Sequence, residues 1–214
     1  MDEVLRIVIC LVSGYAFGCF STGFLISKLY HVDIRKYGSG NVGTTNALRT
    51  LGWKAGALTF FGDFLKAVIP IIVFRNLLFQ ELDYAQLLAL YTGFGVVLGH
   101  NYPFWLHFKG GKGIAVTSGV MVAIDPLIIP FLIVLFVVSV AITKYVSVGS
   151  LLIAILFPVW IGIRYPNQIH MLIIAILYAL SAFFTHRANI KRLLSGTENK
   201  IGQKAKVKEN SHEG

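Results

Sequence analysis

The sequence predicts an all-α integral membrane protein with about seven transmembrane helices, the N-terminus outside and the C-terminus in the cytoplasm. Three observations predict it. Of 214 residues, 56% are hydrophobic and only 14% charged, against roughly 25% charged in soluble domains. The apolar residues fall in long runs rather than at the spacing of an amphipathic core helix. The basic residues lie between these runs, heavily biased to one side once the runs are counted as crossings.

In chain order the runs extend from Val4 to Leu29, Ala55 to Phe74, Tyr84 to Gly99, Ile114 to Ile124, Leu127 to Ile142, Val146 to Ile163 and Ile169 to Thr185. A crossing takes about 20 apolar residues, with a range of roughly 17 to 25. The first, second, third, sixth and seventh runs are credible crossings on their own. The fourth and fifth are short and separated by Asp125-Pro126, so a single kinked or re-entrant element is the competing reading. The acidic start Met1-Asp2-Glu3, with no small-residue cleavage site after the first run, predicts a retained helix rather than a signal peptide. Cys10 and Cys19 share that run without disulfide or metal spacing and read as packing residues.

Orientation follows from the 19 Lys and Arg. With seven crossings and the N-terminus outside, only Arg6, Arg75 and Arg164 face outward and Lys66 lies within a helix. All the others fall in inside loops or in the tail, as the positive-inside rule requires. An even number of crossings would set the tail or the first loop against that rule. The net charge of +9 is thereby accounted for without a nucleic-acid partner, for which no separate basic domain exists. Residues 1–200 read as one polytopic membrane domain and 201–214 as a polar, lysine-rich tail expected to be disordered and in reach of anionic lipid.

The chemistry-bearing residues concentrate in three loops on the predicted cytoplasmic side. The first contains Gly38-Ser39-Gly40-Asn41-Val42-Gly43-Thr44-Thr45-Asn46, flanked by Arg35 and Arg49. Glycines let backbone amides converge, and the hydroxyl and amide side chains add donors, which suits an oxyanion at the start of a helix. The glycine spacing also fits a dinucleotide fingerprint, but no strand precedes it. A plain interfacial turn is the competing reading. The second loop joins Gly99-His100-Asn101-Tyr102-Pro103 to Lys109-Gly110-Gly111-Lys112-Gly113, a turn in which glycines allow the backbone and one ammonium to close on a phosphate. It is no Walker loop, because Gly113 stands where Ser or Thr would bind magnesium. Ordinary positive-inside topology is the alternative for Lys109 and Lys112. In the third, His186, Asn189 and Leu193 share one face if the last helix continues past the membrane; a solvated basic helix end is the alternative. Asp63 and Lys66, three residues apart inside the second run, are either an ion pair holding the helix or a gate to a cavity.

Two catalytic patterns are missing. No histidine is followed five positions later by aspartate, and there is no G-x-S-x-G nucleophile elbow, which disfavours a covalent acyl-enzyme. A carrier for an organophosphate anion would place its binding groups near the bilayer midplane on broken helices, whereas here they cluster at one interface.

Taken in order, Gly38-Ser39-Gly40-Asn41 with Gly43, Thr44, Asn46 and Arg49, then Gly99-His100-Asn101 with Pro103 and Lys109 to Gly113, then His186-Arg187 with Asn189, Arg192, Gly196 and Glu198 resemble the bacterial acyl-phosphate:glycerol-3-phosphate acyltransferases of the PlsY type. The resemblance runs to about residue 200, and Thr44 stands where a small residue such as Ala is more usual. It implies a bacterial inner-membrane enzyme of phospholipid synthesis, active on the cytoplasmic side. It would move a fatty acyl group from acyl phosphate to the 1-hydroxyl of glycerol 3-phosphate, giving lysophosphatidic acid and phosphate. No cofactor or metal is implied. The lipid bilayer and the enzyme that makes acyl phosphate are the implied partners. Under this resemblance Ser39, Arg49, Lys112, His186 and Asn189 are the expected catalytic residues. Gly40, Asn41, Gly43, Thr44, Asn46, His100, Asn101, Lys109, Gly110, Gly111, Gly113, Arg187 and Glu198 are the expected phosphate and substrate contacts.

Overall fold

The structure, a computed structural model, describes residues 2–203; most of the predicted tail lies outside the described residues. Among the described residues are ten α-helices: α1 Glu3–Gly18, α2 Thr22–Leu29, α3 Thr44–Leu51, α4 Trp53–Val73, α5 Ala85–Asn101, α6 Ile114–Ile124, α7 Ile129–Thr143, α8 Val146–Arg164, α9 Ile169–Thr185 and α10 Arg187–Leu194. Four stretches are long and apolar enough to cross a bilayer: Glu3–Leu29, Trp53–Leu78, Pro126–Thr143 and Val146–Arg164. Ile169–Thr185 joins them when taken with α10 across their bend. The 17 residues of α5 reach about 26 Å and the 11 of α6 about 17 Å, so α6 covers only about half of a ~30 Å hydrocarbon core.

The first apolar run, expected as one helix, is broken at Cys19–Ser21. Inside a membrane the carbonyls freed by such a break need partners, and side chains from elsewhere supply them. Trp105 Nε1 donates to the Cys19 carbonyl at 2.8 Å, and Lys66 Nζ donates to the Phe20 carbonyl at 2.7 Å. Both cysteines are buried and free.

The most intimate helix pair is α1 with α5, and glycine makes it so. Gly14 and Gly18 on α1 face Gly95 and Gly99 on α5, four residues apart on each helix. A Cβ added at Gly18 would lie 2.2 Å from the Val96 carbonyl oxygen, and one at Gly99 would lie 2.1 Å from that of Tyr15. Lipid gives helices no hydrophobic reason to associate, so close backbone approach over small residues carries the contact. On its other sides α5 packs into the main core, where the buried Tyr178 donates to the Leu90 carbonyl at 2.7 Å and meets Phe157 edge-on at 5.1 Å. Large apolar side chains on α1, α4, α7, α8 and α9, such as Val12, Phe61, Ile142, Ile163 and Leu180, stay exposed, as a lipid-facing surface requires.

At the end of α6 distant from the loops, Arg75 Nη1 and Gln86 Nε2 donate to the carbonyls of Ala123 and Ile124 at 2.6 and 2.7 Å. Asp125 accepts from Trp160 Nε1 and Arg164 Nε at 3.2 and 2.9 Å. The Arg75 and Gln86 bonds satisfy C-terminal carbonyls of a helix too short to reach water unaided. Asp125 ends α6, and α7 starts anew at Ile129 and packs on α8 rather than on α6.

Candidate active site

The first loop is shaped from within. Gly38 and Gly40 adopt φ of 55° and 71°, a left-handed backbone open to glycine at little cost. The Asn46 side chain, 2% exposed, sits at the centre of the turn. Its Oδ1 accepts from the Ser39 amide at 3.1 Å, and its Nδ2 lies 2.9–3.2 Å from the carbonyls of Asn41, Tyr37 and Ile34. Asn46 is thus committed to the loop itself. Asn41 Oδ1 accepts from the Gly43 amide at 2.8 Å, and its Nδ2 donates to the Gly110 carbonyl at 3.0 Å, tying the first loop to the second. Gly43 caps α3 without a side-chain cap bond, leaving the first amides of that helix open toward the cavity.

The second loop folds back on the end of α5. The amides of Gly111 and Gly110 donate to the carbonyls of His100 and Asn101, both at 3.0 Å. A Cβ at Gly110 would lie 2.0 Å from the His100 carbonyl oxygen, and one at Gly111 would lie 1.9 Å from His100 Nε2, so neither position takes a side chain. Gly113, at φ 83°, then starts α6.

In the third stretch the helix does not continue past Thr185 as expected: α9 and α10 meet at a 60° bend. His186 forms the corner, and its amide bonds back to the Ala182 and Phe183 carbonyls. The bend carries α10 over the cavity, so His186 and Asn189 still point the same way. His186 Nδ1 lies 2.8 Å from the Ala182 carbonyl, which makes Nδ1 the protonated nitrogen and leaves Nε2 as an acceptor.

The three loops close around one cavity of about 470 Å³. Its polar end is lined by Ser39, Asn41, Gly43, Thr44, Asn46, Arg49, His100, Lys112, Gly113, His186, Asn189 and Glu198 from the predicted set. Lys112 Nζ donates to Asn189 Oδ1, Asn189 Nδ2 to Glu198 Oε1 at 2.7 Å, and Arg192 Nε to Glu198 Oε2 at 2.6 Å. Arg49 Nη2 donates to the Asn199 carbonyl at 3.1 Å. Burial is the main cause that pulls Lys112 down to about 8, with Arg192 and Arg49 adding repulsion and Glu198 opposing it. Burial, then Lys112, pulls His186 down to about 4, so its ring is neutral near pH 7. Burial would raise the Glu198 carboxyl, but hydrogen bonds from Asn189 and Arg192 and the Arg192 charge hold it below its ordinary value. The site is a cluster of three cations around one carboxylate, and it suits anions.

Not every predicted residue reaches the cavity. Lys109 is exposed, and Arg187 folds back over the Phe184 ring at 4.5 Å, donating to the Phe184 carbonyl. Gly40, Asn101, Gly110 and Gly111 do not line the cavity, and Asn101 Nδ2 lies 3.4 Å from Ser181 Oγ. The cavity also holds residues that sequence reasoning missed. Thr45, Ser118, Ser147, Ser150 and Arg192 are polar, while Phe60, Phe64, Val122, Leu132, Phe136 and Ile153 form an apolar wall from α4, α6, α7 and α8. Thr45, within the first loop, and Arg192, three residues after Asn189, carried a signal in the sequence; the others sit in apolar runs where nothing distinguishes them.

A sequence profile described as glycerol-3-phosphate acyltransferase matches residues 8–196. A glycerol-3-phosphate acyltransferase from Clostridioides difficile (strain 630) is 45% identical over 204 residues, covering 94% of this chain and 98% of that protein. One from Thermoanaerobacter pseudethanolicus is 40% identical over 202 residues, with 94% and 98% covered. Among solved structures, the glycerol 3-phosphate form of PlsY (YgiH), an integral membrane glycerol 3-phosphate acyltransferase, superposes with a TM-score of 0.82 at 36% identity, covering 92% of this chain and 96% of that one. Its lysophosphatidic acid form gives 0.81 at 35% identity, covering 92% and 95%.

Proposed function

Because the chain belongs to the glycerol-3-phosphate acyltransferase family, we propose that it transfers a fatty acyl group from acyl phosphate to the 1-hydroxyl of glycerol 3-phosphate, giving lysophosphatidic acid and inorganic phosphate without a covalent acyl-enzyme. The observation that carries the proposal is the shape of the cavity. One end gathers Arg49, Lys112 and Arg192 with the open start of α3, and the other is walled by phenylalanines and branched aliphatics. Two phosphates can sit at the first and an acyl chain along the second.

The geometry suggests a division of labour. The first loop, with Ser39 and the leading amides of α3, receives one phosphate; Arg49 and Lys112 neutralise charge, and Asn189 aims Lys112. Asn46 holds the loop in shape rather than touching substrate. Neutral His186 offers Nε2 to the glycerol hydroxyl as a hydrogen-bond acceptor. A ring pulled down to about 4 is a weak base, so it orients the hydroxyl, and the proton passes to phosphate. In that single displacement the glycerol oxygen bonds to the acyl carbon, the acyl carbon–oxygen bond to phosphate breaks, and the hydroxyl proton leaves on a phosphate oxygen. Positioning and charge neutralisation supply most of the rate.

Seven crossings with the N-terminus outside complete the reading. Three loops that meet at one cavity must share a side of the membrane, so crossings between them come in even numbers. Helices α4 and α5 separate the first loop from the second, and α6 to α9 separate the second from the third, with α6 the partial member. The distribution of basic residues supports a cavity on the cytoplasmic side of the bacterial inner membrane, where a soluble enzyme making acyl phosphate could deliver it. Purified protein in detergent, given acyl phosphate and glycerol 3-phosphate without added magnesium, is expected to release phosphate and form lysophosphatidic acid. Equal turnover with acyl-CoA would overturn the choice of donor.

A further inference from the structure

Beneath the second loop, α4 places Asp63 and Lys66 one turn apart and facing His100 of α5. Both carry charge at membrane depth, where a charge persists only with partners. The Lys66 ammonium, which has only N–H donors, donates to the Phe20 carbonyl at 2.7 Å, meets His100 Nδ1 at 2.9 Å and pairs in charge with Asp63 Oδ1 at 2.9 Å. An ammonium only donates, so His100 Nδ1 is an acceptor and the ring proton lies on Nε2. That nitrogen makes no hydrogen bond to any described residue. It faces Gly111, so close that a methyl group there would lie 1.9 Å away, and the ring borders the cavity.

We infer that Lys66, itself held by Asp63, fixes His100 in the tautomer that points an N–H over the Gly110-Gly111-Lys112 turn, making the ring a donor to a phosphate oxygen bound there. The inference rests on the phosphate-binding reading of the cavity and gives a part to the two charges that reading left idle. Lys66 and Asp63 touch no substrate; they are positioning residues. Without Lys66 the ring could place its proton on Nδ1, toward Asp63 Oδ1 at 3.6 Å. Nε2 would then meet a phosphate oxygen as a second acceptor, turning attraction into repulsion. The tautomer matters more than the presence of the ring.

Histidine-labelled wild-type protein in detergent, with the His100 resonances assigned by difference from His100→Gln, reads the tautomer directly by 15N and 13C NMR. The expected state is protonated at Nε2, and titration with inorganic phosphate, glycerol 3-phosphate or acyl phosphate is expected to shift that nitrogen. A ring protonated at Nδ1, or an Nε2 signal indifferent to all three, would overturn the inference. Kinetics give a second readout. Asp63→Asn with Lys66→Met removes both charges together and strands neither. It is expected to raise KM for one phosphate substrate roughly 10- to 100-fold, the effect of losing a hydrogen bond to a charged group, while kcat moves far less. The substrate whose KM rises identifies which phosphate sits on the turn; unchanged KM for both sinks the idea. His100→Gln, which keeps an N–H near the Nε2 position, is expected to recover most of what His100→Leu loses, and equal losses in the two would count against it. A parent enzyme without turnover would defeat the acyltransferase reading alone, because the tautomer and the phosphate titration are measured without catalysis.

Discussion

Lys112 and His186 share one cavity, and burial moves both below their ordinary titration range, to about 8 and about 4. The cation that would hold phosphate is therefore lost earlier than an ordinary lysine as pH rises. We expect KM for the phosphate substrates to climb through pH 8, and Lys112→Met to raise KM and abolish that climb. His186 should add no limb near pH 6.5: a fall in kcat there is expected only from the phosphates' own second ionisation at about 6, so a limb that disappears in His186→Gln would contradict the assignment of its ring as neutral. The same shifts act on stability with a definite sign. The folded protein binds fewer protons than the unfolded chain between pH 4 and 6.5 at His186, so stability rises with pH across that window and is lost on acidification through it. His186→Gln should flatten that acid-side loss in thermal unfolding. Asn46 tests a different kind of dependence. Asn46→Ala deletes the hub of the first loop and leaves buried carbonyls unmatched at about 1–3 kcal/mol, so a lower Tm together with weakened substrate binding is expected, whereas a ligand-only residue would change binding without Tm.

The α1–α5 crossing depends on glycine, and its failure should be structural. In Gly18→Val or Gly99→Val the new atoms would meet a backbone carbonyl near 2 Å, where no flexible side chain can yield. Overpacking of this kind costs about 1–3 kcal/mol or more; a clear drop in Tm in detergent is the expected result, and an unchanged Tm would refute the close crossing. Element boundaries were largely legible, because lipid enforces long apolar runs. The runs Ile114 to Ile124 and Ile169 to Thr185 coincide with α6 and α9. The break at Cys19–Ser21 and the bend at His186 were not legible. Each is fixed by partners distant in sequence or by the packing of α10 over the cavity, and hydropathy along the chain carries no trace of either. The site divides in the same way. Glycine, asparagine and cation clusters flagged the loops, while Ser118, Ser147 and the phenylalanine wall became site residues only when helices met.

At the scale of the whole molecule, orientation can be read with the native cysteines as a silent background, since both are buried. Asn167→Cys, in the exposed turn between α8 and α9, should react in intact cells with a maleimide that cannot cross membranes, and Ser195→Cys should react only after the cells are opened. The reverse pattern would invert the topology. The interruption in the first helix carries a further consequence, for the order in which the protein is made. The carbonyls of Cys19 and Phe20 find their partners in Trp105 and Lys66 respectively, which leave the ribosome long after α1 does. Hydrocarbon offers nothing in the meantime, so the opening segment is expected to wait at the insertion machinery, or as an unbroken helix, until the chain has grown past residue 105. Crosslinking of arrested nascent chains to the insertion machinery would show this as contact at Phe20 that persists in chains ending before Trp105 and is released in longer ones.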